Sequence, residues 1–276
     1  MRTMLLIARQ EIGVALRNRW VLAVVLLLAG LALAVAFLGS APTGQVGIDR
    51  LSVTVVSLAN LGIFLVPLIA LLLSFDAVAG EAERGTLLLL LAHPVARWQV
   101  VAGKFLGHLA VLVVATLVGY GGATAAAVLV QGAGGGAAWG AFALLLASTV
   151  LLGGVFLGLG LLASVRVRER QTAAGVALGI WLVAVVLFDL ALMGALVATG
   201  GEGLSAGLVT GIMMLNPADV YRLLNLTAFK DVSVAAGMAG VVPAGTAGPP
   251  LLVAVLLLWT ALPVAAAWLG FRRREP

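Results

Sequence analysis

Six apolar segments, each long enough to cross a bilayer, constrain this chain more than any other feature. They lie at roughly 20–39, 55–75, 105–130, 138–164, 172–198 and 251–270. A helix that crosses the hydrocarbon core needs about 20 consecutive apolar residues. The chain is 63% apolar and 10% charged, whereas a soluble domain is about half apolar and about a quarter charged. The sequence therefore predicts one all-α domain, residues 1–276, with six transmembrane helices in a lipid bilayer.

Basic residues divide unevenly between the two sets of loops. If the N-terminus lies in the cytoplasm, 13 of the 16 Lys and Arg residues fall on inner segments, and only Arg50, Arg222 and Lys230 fall on outer ones. Loops that stay in the cytoplasm carry an excess of Lys and Arg. The sequence thus predicts that both termini are cytoplasmic. It also explains the net charge of +5 without a nucleic-acid partner, because the bases lie in short clusters beside apolar spans.

The N-terminal segment, residues 1–19, combines four arginines with an imperfect apolar stripe at helical spacing. A basic helix lying on the cytoplasmic membrane surface explains this pattern, and so does a positive flank of the first span. A signal peptide is a third interpretation, but the apolar run that follows is longer than a usual signal sequence.

Residues 199–250 form the one sizeable region predicted on the outer side. Apolar stretches at 204–215 and 232–243 are too short to cross the membrane, and we predict that they enter and return as short re-entrant helices. Between them, Asn216 and Pro217 predict the start of a helix, with Asn as the cap and Pro in the first turn.

Few groups in the sequence can support catalysis or metal binding. There is no cysteine, which excludes disulfides and thiolate chemistry. The only histidines are His93 and His108, and a metal site needs several convergent ligands. A phosphate-binding loop of the GxxxxGK[ST] type is also missing, so we expect no ATP site. We predict no catalytic residue, cofactor or metal in this chain.

Asp189 is the one charged residue predicted inside a span, and such residues are functional candidates by default. It lies some 17 residues from the inner end of its span at about residue 172. At 1.5 Å per residue this is about 26 Å, close to the outer headgroups. A solvated vestibule acid is therefore favoured over a proton or cargo role.

Three pairs of glycines with four-residue spacing are typical of helices that pack closely in lipid. They are Gly103 with Gly107, Gly154 with Gly158, and Gly175 with Gly179. Each pair can pack within the protomer, and one of them can lie at a dimer seam.

The loop at residues 76–104 is the one part of the chain that is neither span nor tail. Gly85 can break one helix, Thr86 can cap the next, and Pro94 ends that helix. The five residues Leu87–Leu91 make this short helix apolar on every side. An apolar helix edged by charges needs a groove to fill, and a soluble protein partner is favoured over packing of the leucines against the bilayer.

The pattern Glu81-x-Glu83-x-Gly85-Thr86, then leucines, then Pro94-x-x-Arg97 resembles the loop motif of ABC-2-type transporter permeases. Its position between the second and third spans also fits, and the six-span layout extends the resemblance over the whole chain. In that family the loop is a coupling helix, which binds in a cleft of a separate cytoplasmic ATPase subunit. Two permeases and two ATPases form the working unit.

This resemblance implies a non-catalytic, homodimeric permease in the bacterial inner membrane, with ATP and magnesium bound by the ATPase partner. An N-terminal surface helix and re-entrant helices before the last span are also usual in the family. The ATPase-coupling residues that it implies are Glu81, Glu83, Arg84, Gly85, Thr86, Leu87, Leu90, Leu91, Pro94 and Arg97.

The stretches Glu81–Leu87 and Leu215–Leu223 carry a further likeness, to permeases that serve copper-centre maturation of nitrous oxide reductase. This likeness implies a copper-handling periplasmic protein as a second partner. The candidates for contact with that partner, or for a gate, are Asn216, Pro217, Asp219, Tyr221 and Arg222.

Two other functions are considered beside this one. One is an ABC-2 exporter of a lipid, a peptide or another apolar molecule. The other is a secondary transporter or channel, which predicts charge pairs at the midplane or inverted repeats, and the sequence contains neither. Copper, a sulfur species or no cargo at all are each compatible with the sequence, since no Cys or His cluster lines a span.

Overall fold

A computed structural model describes residues 2–38, 50–131, 136–199, 205–228 and 247–273, and these residues contain helices and no strand. The predicted all-α class is confirmed for this part of the chain. The helices are α1 (Arg2–Arg17), α2 (Arg19–Leu38), α3 (Arg50–Ser74), α4 (Ala79–Glu83), α5 (Thr86–Leu91), α6 (Arg97–Thr116), α7 (Gly122–Gln131), α8 (Gly136–Arg166), α9 (Arg170–Trp181), α10 (Phe188–Ala198), α11 (Ala206–Met213), α12 (Pro217–Ala228) and α13 (Pro249–Arg273). A π-helical turn at Leu117–Gly121 joins α6 to α7, and another at Leu182–Leu187 joins α9 to α10.

Five helical stretches are long and apolar enough to cross a membrane. They are Thr54–Glu83, Arg97–Val130, Trp139–Arg166, Arg170–Ala198 and Pro249–Arg273. A sixth span is present only if α1 and α2, which meet at a bend of 72°, are counted together. Five of the six predicted spans are thus confirmed, and the first depends on this bent pair. The second predicted re-entrant stretch, 232–243, lies outside the described residues.

Helix α8 lies at the centre of the bundle and packs on α3, α6 and α13. It is apolar on all sides, as expected of a helix surrounded by protein and lipid. Glycines let its neighbours come close: a Cβ added at Gly153 would lie 2.1 Å from Leu112 Cδ2, and one at Gly160 would lie 2.1 Å from Ser74 Oγ. A side chain at either position would therefore force the side chain of Leu112 or Ser74 to move.

Two of the three glycine pairs pack within the protomer. A Cβ at Gly103 would lie 2.8 Å from the carbonyl oxygen of Met4, and one at Gly107 would lie 2.9 Å from that of Ala8. The backbone of α1 therefore rests directly on α6. Gly154 and Gly158 face α13 in the same way, with Thr260, Pro263 and Val264 as their neighbours.

The loop between the second and third predicted spans contains two short helices. α3 continues through helical turns into α4, and Gly85, with a φ of 71°, then separates α4 from α5. The helix break predicted at Gly85 is confirmed, because glycine adopts this left-handed conformation without steric cost. The cap predicted at Thr86 is wrong. Gly85 occupies the cap position, and the Thr86 hydroxyl donates to the carbonyl oxygen of Glu81 at 3.2 Å.

Helix α12 begins at the position that the sequence predicts. Pro217 is its first residue, and the Asn216 side-chain oxygen accepts a hydrogen bond from the backbone N–H of Ala218 at 3.1 Å. This bond satisfies one of the N–H groups that the first turn of a helix leaves without a partner.

Candidate functional site

A buried lysine joins three helices at the end of the bundle that carries α4 and α5. Lys104 of α6 is 1% exposed, and its Nζ lies 2.7 Å from Glu81 Oε1 of α4 and 2.6 Å from Glu11 Oε1 of α1. His108 Nε2, one turn further along α6, lies 3.5 Å from Glu11 Oε2. An ammonium group this deeply buried is stable only when carboxylates compensate its charge. We call Glu11, Glu81, Lys104 and His108 the inner charge cluster, after the cytoplasmic side on which the sequence predicts this end to lie.

Glu83 and Asp76 attach the same segment to the start of α9. A carboxylate oxygen of Glu83 accepts a hydrogen bond at 2.9 Å from the backbone N–H of Arg170, the first residue of α9. A negative charge at the N-terminus of a helix is favourable. The Arg170 side chain in turn lies 3.4 Å from a carboxylate oxygen of Asp76. Movement of α4 would therefore pull on α9.

Arg97 attaches the start of α6 to the end of the last helix. Its Nη1 donates to the carbonyl oxygen of Phe271 at 2.6 Å, and its guanidinium lies 5.6 Å from the centre of the Phe271 ring. A basic side chain satisfies the free carbonyl groups at a helix C-terminus. The family resemblance implies that Arg97 is a coupling residue, and here its guanidinium is bound within the chain.

The five leucines of α5 face in two directions. Leu87 is 3% exposed and belongs to a buried apolar cluster with residues of α6, α8 and α13. Leu90 and Leu91 are half-buried and pack against this cluster. Leu88 and Leu89 are 56% and 68% exposed. Three of the leucines chosen from the sequence, Leu87, Leu90 and Leu91, thus hold α5 in place. The exposed pair, which sequence reasoning did not single out, is the apolar surface that the segment offers.

The remaining predicted residues of this segment lie at its surface. Arg84, Gly85, Thr86 and Pro94 are exposed, and Arg84 also borders an open cavity of about 580 Å³. This cavity lies between α1, α4, α6 and the start of α9, and charged side chains line much of it. Water can enter such a polar space and screen the charges around it.

A second charge cluster joins α12 to α10. Arg222 Nη1 donates to Asp189 Oδ1 at 3.0 Å and to Asp219 Oδ1 at 2.8 Å, and Nη2 hydrogen-bonds the other Asp189 oxygen. The contact with Asp189 therefore has the two-pronged geometry that guanidinium and carboxylate groups favour. We call Asp189, Asp219 and Arg222 the outer charge cluster. Asp189 is 31% exposed and ion-paired, so the sequence-based interpretation of a solvated acid was incomplete.

The outer charge cluster holds two carboxylates and one guanidinium. Asp219 is fully buried, and this burial raises the pKa of its carboxyl group to about 7. The positive charge of Arg222 acts in the opposite direction, while the negative charge of Asp189 adds to the increase. Burial of a net negative charge is unfavourable, so a proton on Asp219 relieves it.

The turn between α11 and α12 contacts the middle of two long helices. The Asn216 side chain donates to the carbonyl oxygen of Ala184, within the π-helical turn of the span Arg170–Ala198, at 2.7 Å. Trp259 of α13 donates from its indole nitrogen to the carbonyl oxygen of Met214 at 3.2 Å. A π-helical turn disturbs the regular backbone hydrogen bonds, and the Asn216 amide satisfies one carbonyl group there.

The predicted outer residues are mostly internal to the protomer. Asn216, Pro217, Asp219 and Tyr221 are buried, and the Tyr221 hydroxyl lies 3.2 Å from the Thr149 hydroxyl of α8. Direct contact of these four side chains with another protein, which was one of the two roles predicted, is incompatible with their burial in this conformation. The other role, a gate, remains a prediction.

A cavity of about 440 Å³ lies beside the outer charge cluster, between α3, α10, α11 and α12. Asn60, Asp189 and Arg222 form its polar part, and aliphatic, aromatic and methionine side chains form the rest. Among the described residues, no group of three or more acidic or histidine side chains is placed to hold a metal ion.

Comparison with known proteins agrees with the sequence pattern over nearly the whole chain. The model of the ABC-2 family transporter protein matches residues 5–275. A probable ABC transporter permease protein NosY from Pseudomonas aeruginosa is 47% identical over 272 residues, covering 97% of each chain. A probable NosY permease from Stutzerimonas stutzeri is 44% identical over 269 residues, again covering 97% of each chain.

Proposed function

Because this chain belongs to the ABC-2 transporter family and is a NosY-like permease subunit, we propose that its α4–α5 segment receives force from a separate cytoplasmic ATPase. ATP and magnesium bind to that partner, an ATPase of the NosF type, and the chemistry of hydrolysis occurs there. The permease converts the resulting movement into a change at its opposite end.

The observation that carries this proposal is the way the segment is anchored. Its apolar surface is Leu88 and Leu89, exposed on a helix of only six residues. Behind that surface, Lys104 joins the segment to α1 and α6, Glu83 joins it to α9, and Arg97 joins α6 to α13. Pressure on the two leucines would therefore move several helices together as rigid bodies.

Orientation follows from the distribution of charge. With the α4–α5 segment in the cytoplasm of a bacterial inner membrane, the arginine-rich ends of the chain lie on the same side. The segment can then reach a cytoplasmic ATPase, and α11 and α12 enter from the periplasmic side as a re-entrant pair. The contacts of their turn with Ala184 and Trp259 support this arrangement.

A homodimer is supported by the glycine pair that the protomer leaves uncovered. A Cβ added at Gly175 or Gly179 would meet no atom within 4 Å among the described residues. The span Arg170–Ala198 is also the least covered by the rest of the described chain, with 11% of its apolar stretch buried against 56% for three other spans. Small residues on such a face let a second helix approach closely.

On the periplasmic side we propose a partner of the copper-handling NosD type, and a role in assembling the copper centre of nitrous oxide reductase. Since Asn216, which precedes α12, and the α12 residues Asp219 and Tyr221 are buried, they act by holding the position of α12 and not by touching that partner. A shift of the spans would then change the outer surface above α12, and this surface acts on the partner.

Copurification of the ATPase tests the coupling role. The variant Leu88→Glu/Leu89→Glu places two charges on the surface that should fill the partner's groove, so we expect loss of at least about nine-tenths of the bound ATPase, as for truncation of central interface residues. Two further variants, Glu83→Ala and Arg97→Glu, loosen the anchoring. They should reduce coupled ATPase activity more than they reduce ATPase binding.

The matched control is Gln171→Glu, which adds a negative charge to an exposed position at the same end of the molecule. This variant should keep its ATPase. If the double leucine variant retains the subunit with unchanged ATPase activity, the α4–α5 segment is not the coupling surface.

The second candidate function is export of a lipid, a peptide or another apolar molecule, with the same coupling. The apolar cavity beside α12 favours it. ATPase activity that is stimulated by such a cargo in vesicles, without any periplasmic partner, would support this function over assembly of a copper centre.

A further inference from the structure

The cavity beside the outer charge cluster has two chemically different parts. Its apolar part includes Phe64 of α3, Met193 of α10 and Met213 of α11, and its polar part is centred on the Asp189–Arg222 ion pair. At about 440 Å³ it falls within the range of about 300–1,000 Å³ that is typical of small-molecule sites. A ligand that fits both parts must have an apolar body and one polar head.

The charge of the cluster decides which head is favourable. Arg222 already hydrogen-bonds both Asp189 and Asp219, so its guanidinium has little capacity left for an anion. The two carboxylates together exceed it by one negative charge. The part of this excess that faces the cavity is Asp189, which lines it and remains 31% exposed.

On the described helices that pack against this cluster, no other charged side chain is placed to neutralise the excess. Helices α3, α8 and α13 also pack on α12, and apart from Arg50, Arg166, Arg272 and Arg273 at their ends they carry no charged residue. Helix α11 carries none. Tyr221 is the only further titratable group on α12, and its hydroxyl is directed toward Thr149 of α8.

We propose that this cavity binds an amphiphilic cation, with an ammonium head on the Asp189 carboxylate and an apolar body against α3, α10 and α11. A free apolar amine has this chemistry. The ethanolamine headgroup of a membrane lipid shares the ammonium group, and its phosphate must then stay outside the cavity for the charge of the site to balance. The site does not depend on coupling to an ATPase, so its failure in an experiment is distinguishable from failure of the proposed function.

Binding of the cation exchanges with a proton. With the site empty, burial raises the pKa of Asp219 to about 7, and a proton on Asp219 balances the cluster near neutral pH. When an ammonium group pairs with Asp189, Arg222 is left to compensate Asp219, which then ionises. One cation enters and one proton leaves, so the net charge of the buried site is unchanged.

Direct binding to the full-length chain in nanodiscs tests the proposal, with radiolabelled 2-(1-naphthyl)ethylamine as the probe and 2-(1-naphthyl)ethanol as its neutral analogue. Empty nanodiscs give the background from partition into lipid. We expect saturable binding of the amine and at least about tenfold weaker binding to Asp189→Asn, as expected for loss of a hydrogen-bonded charge pair. The control Glu169→Gln removes the same charge at the opposite end of the fold and should bind normally.

The pH profile separates a charged site from a merely apolar one. Because a proton competes with the amine, affinity should rise up to about tenfold per pH unit between about pH 5.5 and 7 and level off above pH 7. In Asp219→Asn the cluster stays neutral, so binding should be weak and independent of pH.

The source of the ligand is read from lipids that remain bound to the purified chain, measured by native mass spectrometry. Ethanolamine lipid retained by the unmodified chain and lost from Asp189→Asn identifies a membrane lipid as the ligand, and its absence identifies a free amine. Equal binding of the amine and the alcohol, or an unchanged affinity in Asp189→Asn, would overturn the proposal. Binding of the amine only after the dimer is dissociated would also overturn the proposal, because a second copy of the chain would then cover the cavity.

Discussion

The inner and outer charge clusters share one arrangement of charges but have opposite surroundings, and the inner cluster also contains a histidine, His108. Each contains two carboxylates around one cation: Glu11 and Glu81 around Lys104, and Asp189 and Asp219 around Arg222. The inner carboxylates border an open cavity that charged and apolar side chains line together, and water that enters it can screen the excess negative charge. The outer cluster has one fully buried carboxylate beside an apolar cavity. Two carboxylates and one cation therefore join helices at the inner end, whereas at the outer end they form a site in which Asp219 can bind a proton.

The choice of cation suits each end. The lysine ammonium is a compact charge that can donate hydrogen bonds in several directions, and Lys104 of α6 donates to Glu11 of α1 and to Glu81 of α4. The arginine guanidinium is planar and forms two parallel bonds to one carboxylate, so Arg222 fixes the angle of α12 relative to Asp189. At the outer end, which is proposed to change shape, α12 needs a fixed orientation, and the Arg222 guanidinium provides it. At the inner end, α1 and α4 need only to be held on α6, and a single ammonium group is sufficient for that.

The largest effect is expected from Lys104→Met, which leaves Glu11 and Glu81 facing each other without a cation. Removing one partner of a buried ion pair costs about 3–5 kcal/mol, and the partial exposure of both acids places this change toward the lower value. Unfolding of the full-length chain by SDS in mixed micelles measures it. The triple variant Lys104→Met/Glu11→Gln/Glu81→Gln should recover much of the lost unfolding free energy. If Lys104→Met lowers the unfolding free energy by less than about 1 kcal/mol, Lys104 does not hold α1 and α4 together.

Sequence alone was sufficient for the features that local chemistry determines. The helix break at Gly85 requires a positive φ, and the start of α12 requires a capping side chain before a proline, so both were predicted at the correct residue. The apolar runs predicted five spans that the described residues confirm. The first predicted span, 20–39, is matched only when α1 and α2 are counted together across their bend of 72°.

The two clusters could not be predicted, because their members are distant in sequence. Lys104 and Glu11 are 93 positions apart, and Arg222 and Asp189 are 33 apart. Lys104 looked like an orientation signal and Glu11 like a lone acid on a basic helix. The five identical leucines of α5 posed the same difficulty, since only packing against α6, α8 and α13 distinguishes Leu87 from Leu88.

A second test concerns pH, where the two ends should differ. The folded pKa of Asp219, about 7, lies above its ordinary value of 3.8. The folded state therefore binds this proton more tightly, and the stabilisation is present at low pH and lost as pH rises toward 7. Unfolding free energy should fall between about pH 4 and 7, by up to about 1.4 kcal/mol per unit, and level off above.

Asp219→Asn should remove this slope, whereas Glu81→Gln at the inner cluster should leave it in place. SDS unfolding followed across the pH range measures both variants against the unmodified chain. A slope that persists in Asp219→Asn would assign the proton to another group and would remove the contrast between the two ends.

The smallest effect, and the sharpest comparison, comes from exchanging the two cations. Arg222→Lys keeps the charge but loses the second parallel bond to Asp189, at a cost of about 1.5–3 kcal/mol, the value of a hydrogen bond to a charged group. Lys104→Arg also keeps the charge, but it must fit a larger planar group between two carboxylates that lie 2.6 and 2.7 Å from Nζ. The open cavity beside them gives this group room, so we expect a loss of unfolding free energy of less than about 1 kcal/mol, within the range of well-tolerated substitutions.

Unfolding of both variants under identical conditions shows directly which substitution costs more. If Lys104→Arg costs more than Arg222→Lys, the geometry of the cation matters most at the inner end. The inner cluster would then not be the one that tolerates either cation, and the contrast drawn between the two clusters would be wrong.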